Sequence, residues 1–328
     1  MAKHDLSLEM GNLICKFGNK NFMDYFDEIV LPAFTDSSLV RKYGETKYFF
    51  EKVSLVDVDG QLVLAGRLIK DTILEREQVY EQGKGVVPDH DKMRSAPSSV
   101  FAIVLSVHRV ILVKETKFAP TLDVFKSTLE RFLKEKYKAF INAEWSAAGG
   151  KGGDVTKKQL TAKHISPSLE IIPLSSAQDV AGFIKQYETL SSVTYTFSDR
   201  NDEQDNEQLF ELLQKQKDDV GSKVTKVSHS NKEGLDKDSV IEEVQSATAQ
   251  GTQRVRLSGK DSEGNTLVGD NDSFKLNKKV EVLVEEPESM AKVIVGVFND
   301  LVSDGLIRVF TPPKSVLAKL AKYIDTKG

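Results

Sequence analysis

The residue types best suited to chemistry are concentrated in one stretch of the chain, between Lys114 and His164. This stretch holds eleven Lys or Arg residues and six Asp or Glu, a local net charge of +5 in a chain whose net charge is -4. Its last part, residues 147–164, reads AAGGKGGDVTKKQLTAKH; glycine lets backbone amides approach a phosphate, and lysine neutralises the phosphate charge. The stretch therefore predicts contact with a polyanion. The plainer alternative is a flexible, soluble linker.

A long amphipathic helix is predicted between Pro120 and this glycine-rich part, because apolar residues recur there at helical spacing. Its apolar stripe consists of Leu122, Phe125, Leu129, Phe132, Leu133, Phe140 and Ile141. Its other side carries Lys126, Arg131, Lys134, Lys136 and Lys138. Since Glu130 and Glu135 lie on the same helix, a solvated face of mixed charge is the alternative to a binding surface.

A second chemical possibility is a metal-dependent nuclease. Asp89-His90-Asp91 and Lys92 lie in a segment, residues 83–97, whose Gly, Pro and Asp content predicts a loop. Carboxylates near a lysine suit metal-assisted phosphodiester cleavage. However, adjacent residues rarely supply three ligands to one ion. Asp57 and Asp59 could be added to such a set with Asp89 and Lys92, but a hairpin turn explains them better. No metal ion or other cofactor is therefore expected.

Motifs of other enzyme classes are missing from the sequence. There is no G-x-S-x-G elbow, no H-E-x-x-H pair, no dinucleotide fingerprint and no Walker A loop. Cys15 lies in an apolar setting without a nearby histidine, so it is not a credible nucleophile. His108 lies between two apolar strands, where a buried structural histidine is the usual case. The sequence favours binding over catalysis.

The composition is that of an ordinary globular protein, with 40% hydrophobic and 29% charged residues among 328. No run approaches the roughly 18 apolar residues that span a bilayer. The first residues lack the apolar segment and cleavage site of a secretory signal. The single cysteine excludes an internal disulfide framework. A cytoplasmic location is the expectation.

A β-hairpin is predicted directly before the amphipathic helix. Residues 99–105 and 107–113 are almost continuously apolar and rich in β-branched residues, which predicts two strands covered on both faces. Near the start of the chain, residues 13–34 predict a small folded piece. Within it, Pro32 is expected to end a helix over residues 24–31.

An earlier hairpin is predicted around Asp59-Gly60, a common turn dipeptide between apolar segments. Its arms are residues 48–58 and 61–79. The second arm is long for one strand, so either a bend near Gly66 or a strand that extends beyond its partner is expected.

The second half of the chain alternates between strand and helix patterns. Strands are predicted over 169–174, 192–197 and 223–229, helices over 177–187, 208–218 and 239–248, and a hairpin over 254–268. Met290–Leu301 predicts a further helix. A final amphipathic helix, Lys314–Tyr323, would dock on its own domain or, less commonly, on a partner.

This mixture of antiparallel hairpins and strand-helix units predicts an α+β fold in which two related sheets are covered by helices. Three segments are predicted: residues 1–97, rich in β-hairpins; residues 98–165, with the central hairpin, the amphipathic helix and the basic glycine-rich loop; and residues 166–328, an α+β C-terminal domain.

Several segments of this layout resemble the RexA family of phage-exclusion proteins from lambda-type prophages. The strand pair at 99–113 leads into KFAPTLDVF at 117–125, LEIIPL at 169–174 begins a strand followed by a helix, and RLSGKDSEGNTL at 256–267 forms a late hairpin. The resemblance covers residues 98–305. It implies a fold related to that of RdgC, a nucleoid protein that encircles DNA. It also implies a cytoplasmic DNA-binding dimer that senses infection and signals to a membrane-embedded partner.

If the resemblance holds, an acidic protein must concentrate its contacts with double-stranded DNA on one groove. The residues expected to line it are Lys114, Lys117, Lys126, Arg131, Lys134, Lys138, Lys151, Lys157, Lys158 and Lys163. Phe118, Tyr137 and Trp145 lie near this patch and could stack on unpaired bases, but core packing explains Phe118 and Tyr137 equally well. The remaining alternative is a protein-assembly module that uses the acidic segment 199–219, which has eight Asp or Glu and three Lys or Arg, or the C-terminal helix.

Overall fold

The protein is described here from a computed structural model, which defines residues 4–201, 208–282 and 286–324. The predicted α+β class is confirmed. The strands are β1 His4–Phe17, β2 Lys20–Asn21, β3 Arg41–Tyr43, β4 Thr46–Val58, β5 Gln61–Glu75, β6 Gln78–Glu81, β7 Gly85–Pro88, β8 Lys92–Ser95, β9 Ser98–Val104, β10 Arg109–Lys114, β11 Ser168–Pro173, β12 Tyr187–Phe197, β13 Thr225–Ser230, β14 Arg254–Asp261, β15 Thr266–Asp270 and β16 Asn277–Val282. The α-helices are α1 Leu31–Thr35, α2 Leu122–Ala147, α3 Lys157–Lys163, α4 Ala177–Ile184, α5 Gln208–Asp219, α6 Lys237–Thr248, α7 Pro287–Ser303 and α8 Lys314–Ile324.

The larger sheet has ten strands and is organised around β1. Its order is β11-β1-β10-β9-β5-β4-β3, with β16 and β2 also paired to β1 and β8 paired to β5. One edge of β1 pairs with β10, and the other edge pairs first with β16 and then with β11. The sequence predicts neither β1 nor β16. Both belong to the sheet that frames the predicted helix.

The two faces of this sheet are covered by different helices, as the continuous apolar runs predict. Alternate residues of β9 point to opposite sides, so Phe101 and Ile103 join the core beneath α2. Val100 and Ala102 join the core beneath α7. Because both faces are covered, residues 100–104 of β9 form an unbroken apolar run, and the buried Ser99 before them donates a hydrogen bond to the Pro120 carbonyl (2.7 Å).

The smaller sheet has four strands, in the order β13-β12-β14-β15, and is covered on one face. Val193 and Leu257 point into a core that α4, α5 and α6 complete, with Ile184, Phe210 and Val244 among its members. The opposite face of this sheet is mostly polar, with Val268 among its exposed residues. The two main sheets therefore differ in size and in how they are covered.

A buried arginine joins the two sheets. The Arg109 side chain is fully buried; its guanidinium donates hydrogen bonds to Asn12 Oδ1 (2.6 Å) and to the Gln250 carbonyl (3.0 Å). Asn12 Nδ2 in turn donates to the Gly251 carbonyl (3.1 Å). These bonds satisfy carbonyl groups of the segment that connects α6 to β14, which would otherwise be buried without partners.

Strand pairing crosses the three predicted segments. The ten-stranded sheet takes β1 to β5 and β8 from residues 1–97, β9 and β10 from residues 98–165, and β11 and β16 from residues 166–328, whereas β6 and β7 pair separately. The three segments therefore do not correspond to three separate sheets.

Three local predictions are wrong. Residues 83–97, expected to be a loop, contain β7 and β8. The glycine-rich part, expected to be a loop, contains α3. Pro32 does not end the helical stretch: it lies in the first turn of α1, where a missing N–H costs nothing, and helical turns run from Phe22 to Thr35.

The irregularity expected near Gly66 is present, but it lies on the facing strand. The register of β4 against β5 shifts between Glu51 and Ser54, opposite Gly66, and Lys52 has a φ of 49°. A β-carbon on Gly66 would lie 2.7 Å from Val53 Cγ2 and 3.0 Å from Phe101 Cζ. Glycine is required here because the bulge and an aromatic ring both approach the strand.

The C-terminal helix α8 docks on its own chain. Val316 and Leu320 are buried in the core beneath α2. Lys319 donates a 2.6 Å hydrogen bond to Asp24, and Lys322 donates one of 2.8 Å to Asp27. The two ion pairs fix the helix against the helical turns that follow β2.

Candidate nucleic-acid interface

Helix α2 is the scaffold of the predicted basic surface. Thr121 caps its N-terminus by accepting a hydrogen bond from the Val124 amide, and the helix then runs for 26 residues, about 39 Å. Phe125, Leu129 and Phe132 are buried against the large sheet, as the apolar stripe predicts. The buried side fixes which residues of α2 face solvent.

Three of the predicted basic residues share one solvent-facing side of α2. Arg131, Lys134 and Lys138 are exposed, and their spacing of three and four residues places them within about 60° around the axis. Arg131 pairs with Glu135 (2.9 Å) and Lys134 with Glu130 (2.5 Å). Lys138 makes no ion pair with any described residue. Surface pairs of this kind are weak and exchange readily for other anions.

The C-terminal end of α2 adds a fourth cation to this side. Trp145 lies in line with Lys138, two turns further along. The Lys157 ammonium lies 4.5 Å from the Trp145 ring centroid and donates a 2.6 Å hydrogen bond to Asn142 Oδ1. Arg131, Lys134, Lys138 and Lys157 form one continuous basic row, which we name the α2 stripe.

Helix α3 places Lys157 because its start is well defined. Thr156 caps the helix by accepting a hydrogen bond from the Gln159 amide, and Gln159 Oε1 accepts one from the Thr156 amide (2.8 Å). Leu160 is buried in the core beneath α2. Lys151, Lys158 and Lys163 are exposed around it, so the predicted basic loop is a folded extension of the α2 surface.

The other predicted residues do not join the α2 stripe. Lys114 donates a 2.5 Å hydrogen bond to Glu9, which is 2% exposed, so its charge is used inside the protein. Lys117 lies over its neighbour Phe118 (5.6 Å to the ring centroid), in the segment before α2. Lys126 is half-buried and lies roughly 80–140° around the helix from the stripe.

The three aromatic residues predicted near the basic surface do not lie together. Tyr137 is buried, and its hydroxyl donates to the His164 carbonyl (2.5 Å), so it is unable to stack on a base. Phe118 is 56% exposed but precedes α2, whose first residue lies about 35 Å from Trp145 along the helix axis. Of the three, only Trp145 lies on the stripe.

Sequence reasoning missed a second basic surface, on the uncovered face of the four-stranded sheet. Arg254, Arg256 and Lys260 alternate along β14 and point away from the helices, and Lys226 of β13 lies on the same face. Hydroxyl groups lie between these cations, among them Thr194 and Ser228, whose oxygens are 2.9 Å apart. We name this the outer sheet face.

The cations of the outer sheet face differ in their partners. Arg254 binds Glu170 of β11 and the Ile171 carbonyl. Arg256, Lys260 and Lys226 are exposed and make no ion pair with any described residue. The alternation R-x-R-x-S-x-K in β14 signals one polar strand face, but only the pairing of β12 with both β14 and β13 shows that the polar face extends across these three strands.

The charges of the candidate metal ligands Asp89 and Asp91 are already neutralised by an arginine of the same chain. Arg76 forms ion pairs with both Asp89 and Asp91 (3.5 Å to the latter), and Lys92 is bound to Glu75. Asp57 accepts a hydrogen bond from the Gly60 amide (2.8 Å), as the hairpin explanation predicts. Within the described ranges, no three His, Cys, Asp or Glu side chains are grouped as metal ligands would be.

The acidic segment 199–219 is described only in part, since residues 202–207 lie outside the described ranges. In the described part, Arg200 binds Glu211 through two 2.9 Å hydrogen bonds. Lys217, whose side chain is 2% exposed, pairs with Asp218 (2.7 Å) and Asp199 (3.7 Å). These carboxylates are balanced within the chain, which weakens the case for a purely acidic docking surface.

Comparisons with known proteins give no family for this chain: no family model matches it, and no curated protein is significantly similar to it. As for membranes, none of the helices in the described ranges has the length and apolar character needed to cross a bilayer. The functional argument therefore depends on the surfaces described above.

Proposed function

We propose that this protein binds the sugar-phosphate backbone of DNA through the α2 stripe. The observation that carries the proposal is the alignment of Arg131, Lys134 and Lys138 on one exposed side of α2, continued by Lys157 over Trp145. The basic row and the Trp145 ring lie on α2 and α3, two regular helices that are anchored in the core. A cationic row held on rigid elements suits a partner with regularly spaced negative charge.

The dimensions of the stripe suit several phosphates. Arg131 and Trp145 are 14 residues apart on α2, about 21 Å along the axis. Duplex DNA carries one negative charge per roughly 1.7 Å of its axis, so the row spans several phosphate groups. Contacts of this type give affinity that depends on salt and not on base sequence. Of the three candidate aromatic residues, only Trp145 lies on the stripe, which does not suggest extended base stacking.

The wider role is a proposal supported by the sequence resemblance alone. It makes the protein a cytoplasmic sensor in an abortive-infection type of antiphage defence, a homo-oligomer that passes a change in DNA occupancy to a membrane-embedded effector protein. In a bacterial host that carries the complete system, Lys138→Glu should then abolish protection against phage. Protection that survives this change would separate defence from the α2 stripe.

The direct test of DNA binding is fluorescence anisotropy with a short labelled duplex at several salt concentrations, with and without magnesium. Lys138→Glu is compared with Lys292→Glu, which reverses an exposed lysine of α7 on the opposite side of the large sheet. Neither lysine forms an ion pair with a described residue, so both changes alter the net charge equally.

We expect Lys138→Glu to lower the affinity about tenfold and to reduce the slope of log affinity against log salt by about 1. Lys292→Glu should change neither. Equal losses in the two variants would show that only the overall charge matters and would remove the stripe from the site. No binding at low salt would overturn the proposal, and cleavage of the duplex with magnesium would favour the nuclease alternative.

A further inference from the structure

A small cavity lies between the helices that cover the smaller sheet and the segment that follows α7. Ser175 and Ala177, at the start of α4, form one wall, Ser246 of α6 forms another, and Arg308, in the segment after α7, forms a third. The cavity has a volume of about 240 Å³. Drug-sized ligands occupy cavities of about 300–1,000 Å³, so this one suits a smaller molecule.

The walls of this cavity are held together by hydrogen bonds between its elements. Gln245 Nε2 donates to the Ala177 carbonyl (3.0 Å), which joins α6 to the start of α4. The Arg308 amide donates to the Ala249 carbonyl (3.2 Å) at the end of α6. Ile307, next to Arg308, is buried in the core beneath α7. Because α4 and α6 cover the smaller sheet and α7 covers the larger one, a molecule in the cavity contacts both parts of the protein.

Two serine hydroxyl groups at this cavity have no hydrogen-bond partner among the described residues. Ser175 is 2% exposed and Ser246 is half-buried, and the hydroxyl oxygen of each is buried. The neighbouring Ser176 differs, because its hydroxyl donates a 2.6 Å hydrogen bond to Asp179 and caps α4. A buried hydroxyl group that binds nothing costs free energy, so two of them beside one cavity indicate that a polar molecule occupies it.

The cavity also presents one side chain of each charge. Arg308 and Glu242 line it, both are exposed, and neither forms an ion pair with a described residue. Glu242 lies about 10 Å along the axis of α6 from Ala249, the residue that is bonded to the Arg308 amide. The amides of Ala177 and Gln178, the first two of α4, have no acceptor within that helix and add partial positive charge. The lining therefore offers donors for an anionic group and an acceptor for a cationic one.

Ligands of a single charge fit this lining poorly. A phosphate or sulfate ion would bind Arg308 but would be repelled by Glu242, and a metal ion would be repelled by Arg308. An apolar molecule would leave the hydroxyls of Ser175 and Ser246 without partners. A small zwitterion satisfies all four side chains.

We propose that the cavity binds a free amino acid. The carboxylate of the amino acid accepts hydrogen bonds from Arg308 and from the first amides of α4, and its ammonium group donates to Glu242. The hydroxyls of Ser175 and Ser246 donate or accept according to which of the two groups lies next to them. The proposal is independent of DNA binding through the α2 stripe.

The first test measures the melting temperature of the full-length chain with each of the twenty standard amino acids. At about 10 mM, we expect at least one of them to raise the melting temperature by about 2 °C or more, because a molecule that binds only the folded state stabilises it. Titration calorimetry then gives its dissociation constant. The methyl ester of that amino acid lacks the carboxylate charge and its N-acetyl derivative lacks the ammonium group, so each should bind about tenfold more weakly or worse.

The second test assigns the binding to the cavity. We expect Arg308→Gln and Glu242→Gln each to weaken the binding of that amino acid about tenfold or more, since each removes one charged partner. Lys292→Gln and Glu188→Gln are the matched controls, because they remove the same charges at exposed positions outside the cavity lining. Both controls should bind the amino acid as the wild type does. All four positions are exposed, so the variants should fold, and circular dichroism checks this.

Three results would overturn the proposal. The first is a melting temperature that no amino acid raises. The second is unchanged affinity in either Arg308→Gln or Glu242→Gln. The third is stabilisation by inorganic phosphate that requires Arg308 and is strengthened by Glu242→Gln, which would make the cavity a site for anions alone.

Discussion

The ammonium of Lys157 lies 4.5 Å from the ring centroid of Trp145, which is the only tryptophan in the chain. A phosphate that binds Lys157 competes with the ring for the cation, so the emission of Trp145 should change when duplex DNA binds. We expect the change to saturate at the same DNA concentration as the anisotropy signal. Lys157→Gln should remove it. Unchanged emission during clear binding would place the DNA elsewhere.

Glu9 should set part of the acid sensitivity of the fold. Burial by itself raises the pKa of Glu9, but the hydrogen bond from Lys114 and the charges of Lys275 and Lys114 outweigh it, so the pKa lies below its ordinary value. Because the folded-state pKa is the lower one, the stabilisation is complete above the ordinary value of 4.5. This stabilisation is lost as the pH falls from 4.5 through the folded-state pKa of Glu9.

Glu9→Gln tests this directly. At pH 7 we expect a loss of about 1–3 kcal/mol in the free energy of unfolding, since Lys114 then lacks its buried charge partner. Urea unfolding between pH 3 and pH 7 should show a shallower acid decline in the variant than in the wild type. Parallel declines would assign the acid sensitivity to other carboxylates.

Gly66 should not tolerate a side chain. A β-carbon there would meet Val53 Cγ2 at 2.7 Å, so Gly66→Ala should destabilise the fold by about 1–3 kcal/mol. Gly182 of α4 is the matched control, because nothing lies within 4 Å of the corresponding atom. There alanine should stabilise by about 0.5–1 kcal/mol, since it is the better helix former. Urea denaturation distinguishes the two, and similar effects at both positions would contradict the crowding at Gly66.

Cys15 should be chemically inert in the folded protein. Its side chain is fully buried, and burial raises the pKa of the thiol to about 12. A thiol-specific dye at pH 8 should therefore label no cysteine in the native chain and one in guanidinium chloride. Val86→Cys, at an exposed position, is the positive control. Rapid labelling of the native wild type would show that the strand opens at Cys15.

The hairpin at residues 98–114 could be predicted because its physical cause is local. Each strand is covered on both faces, so burial requires an apolar residue at almost every position. The amphipathic helix α2 was predictable for the same reason: its single buried side repeats with the helical period. The α3 helix carried a readable signal as well, since Thr156 and Gln159 form a capping box.

Strand β1 was not predictable because its pattern changes phase part-way along. Leu8 and Met10 point into the core beneath α7, whereas Leu13 and Cys15 point into the core beneath α2. Near the start of β1, the face opposite to Leu8 and Met10 carries the buried Glu9. The strand therefore shows no steady alternation, and its pairing depends on β10, β11 and β16, which lie far away in the sequence.

The residues of the candidate site also fall into those that the sequence could place and those that it could not. Arg131, Lys134 and Lys138 could be placed together from their spacing on one helix. The partner of Lys114 is Glu9, 105 residues away, so no local pattern shows that this lysine is occupied. Lys226 and Arg256 reach one surface only through the pairing of β13, β12 and β14. Local periodicity reveals a face of one element, not a face shared by several.

The position of β1 also constrains how the chain can fold. His4 pairs with Val282, so the large sheet is complete only when residues almost a whole chain length apart have met. Contacts of such large sequence separation must overcome loop-closure entropy before they contribute any stability, and they slow folding. During synthesis, β1 emerges long before β16, which follows β10 and β11 in the chain. Until then, half of one edge of the central strand is an open template for pairing with other chains.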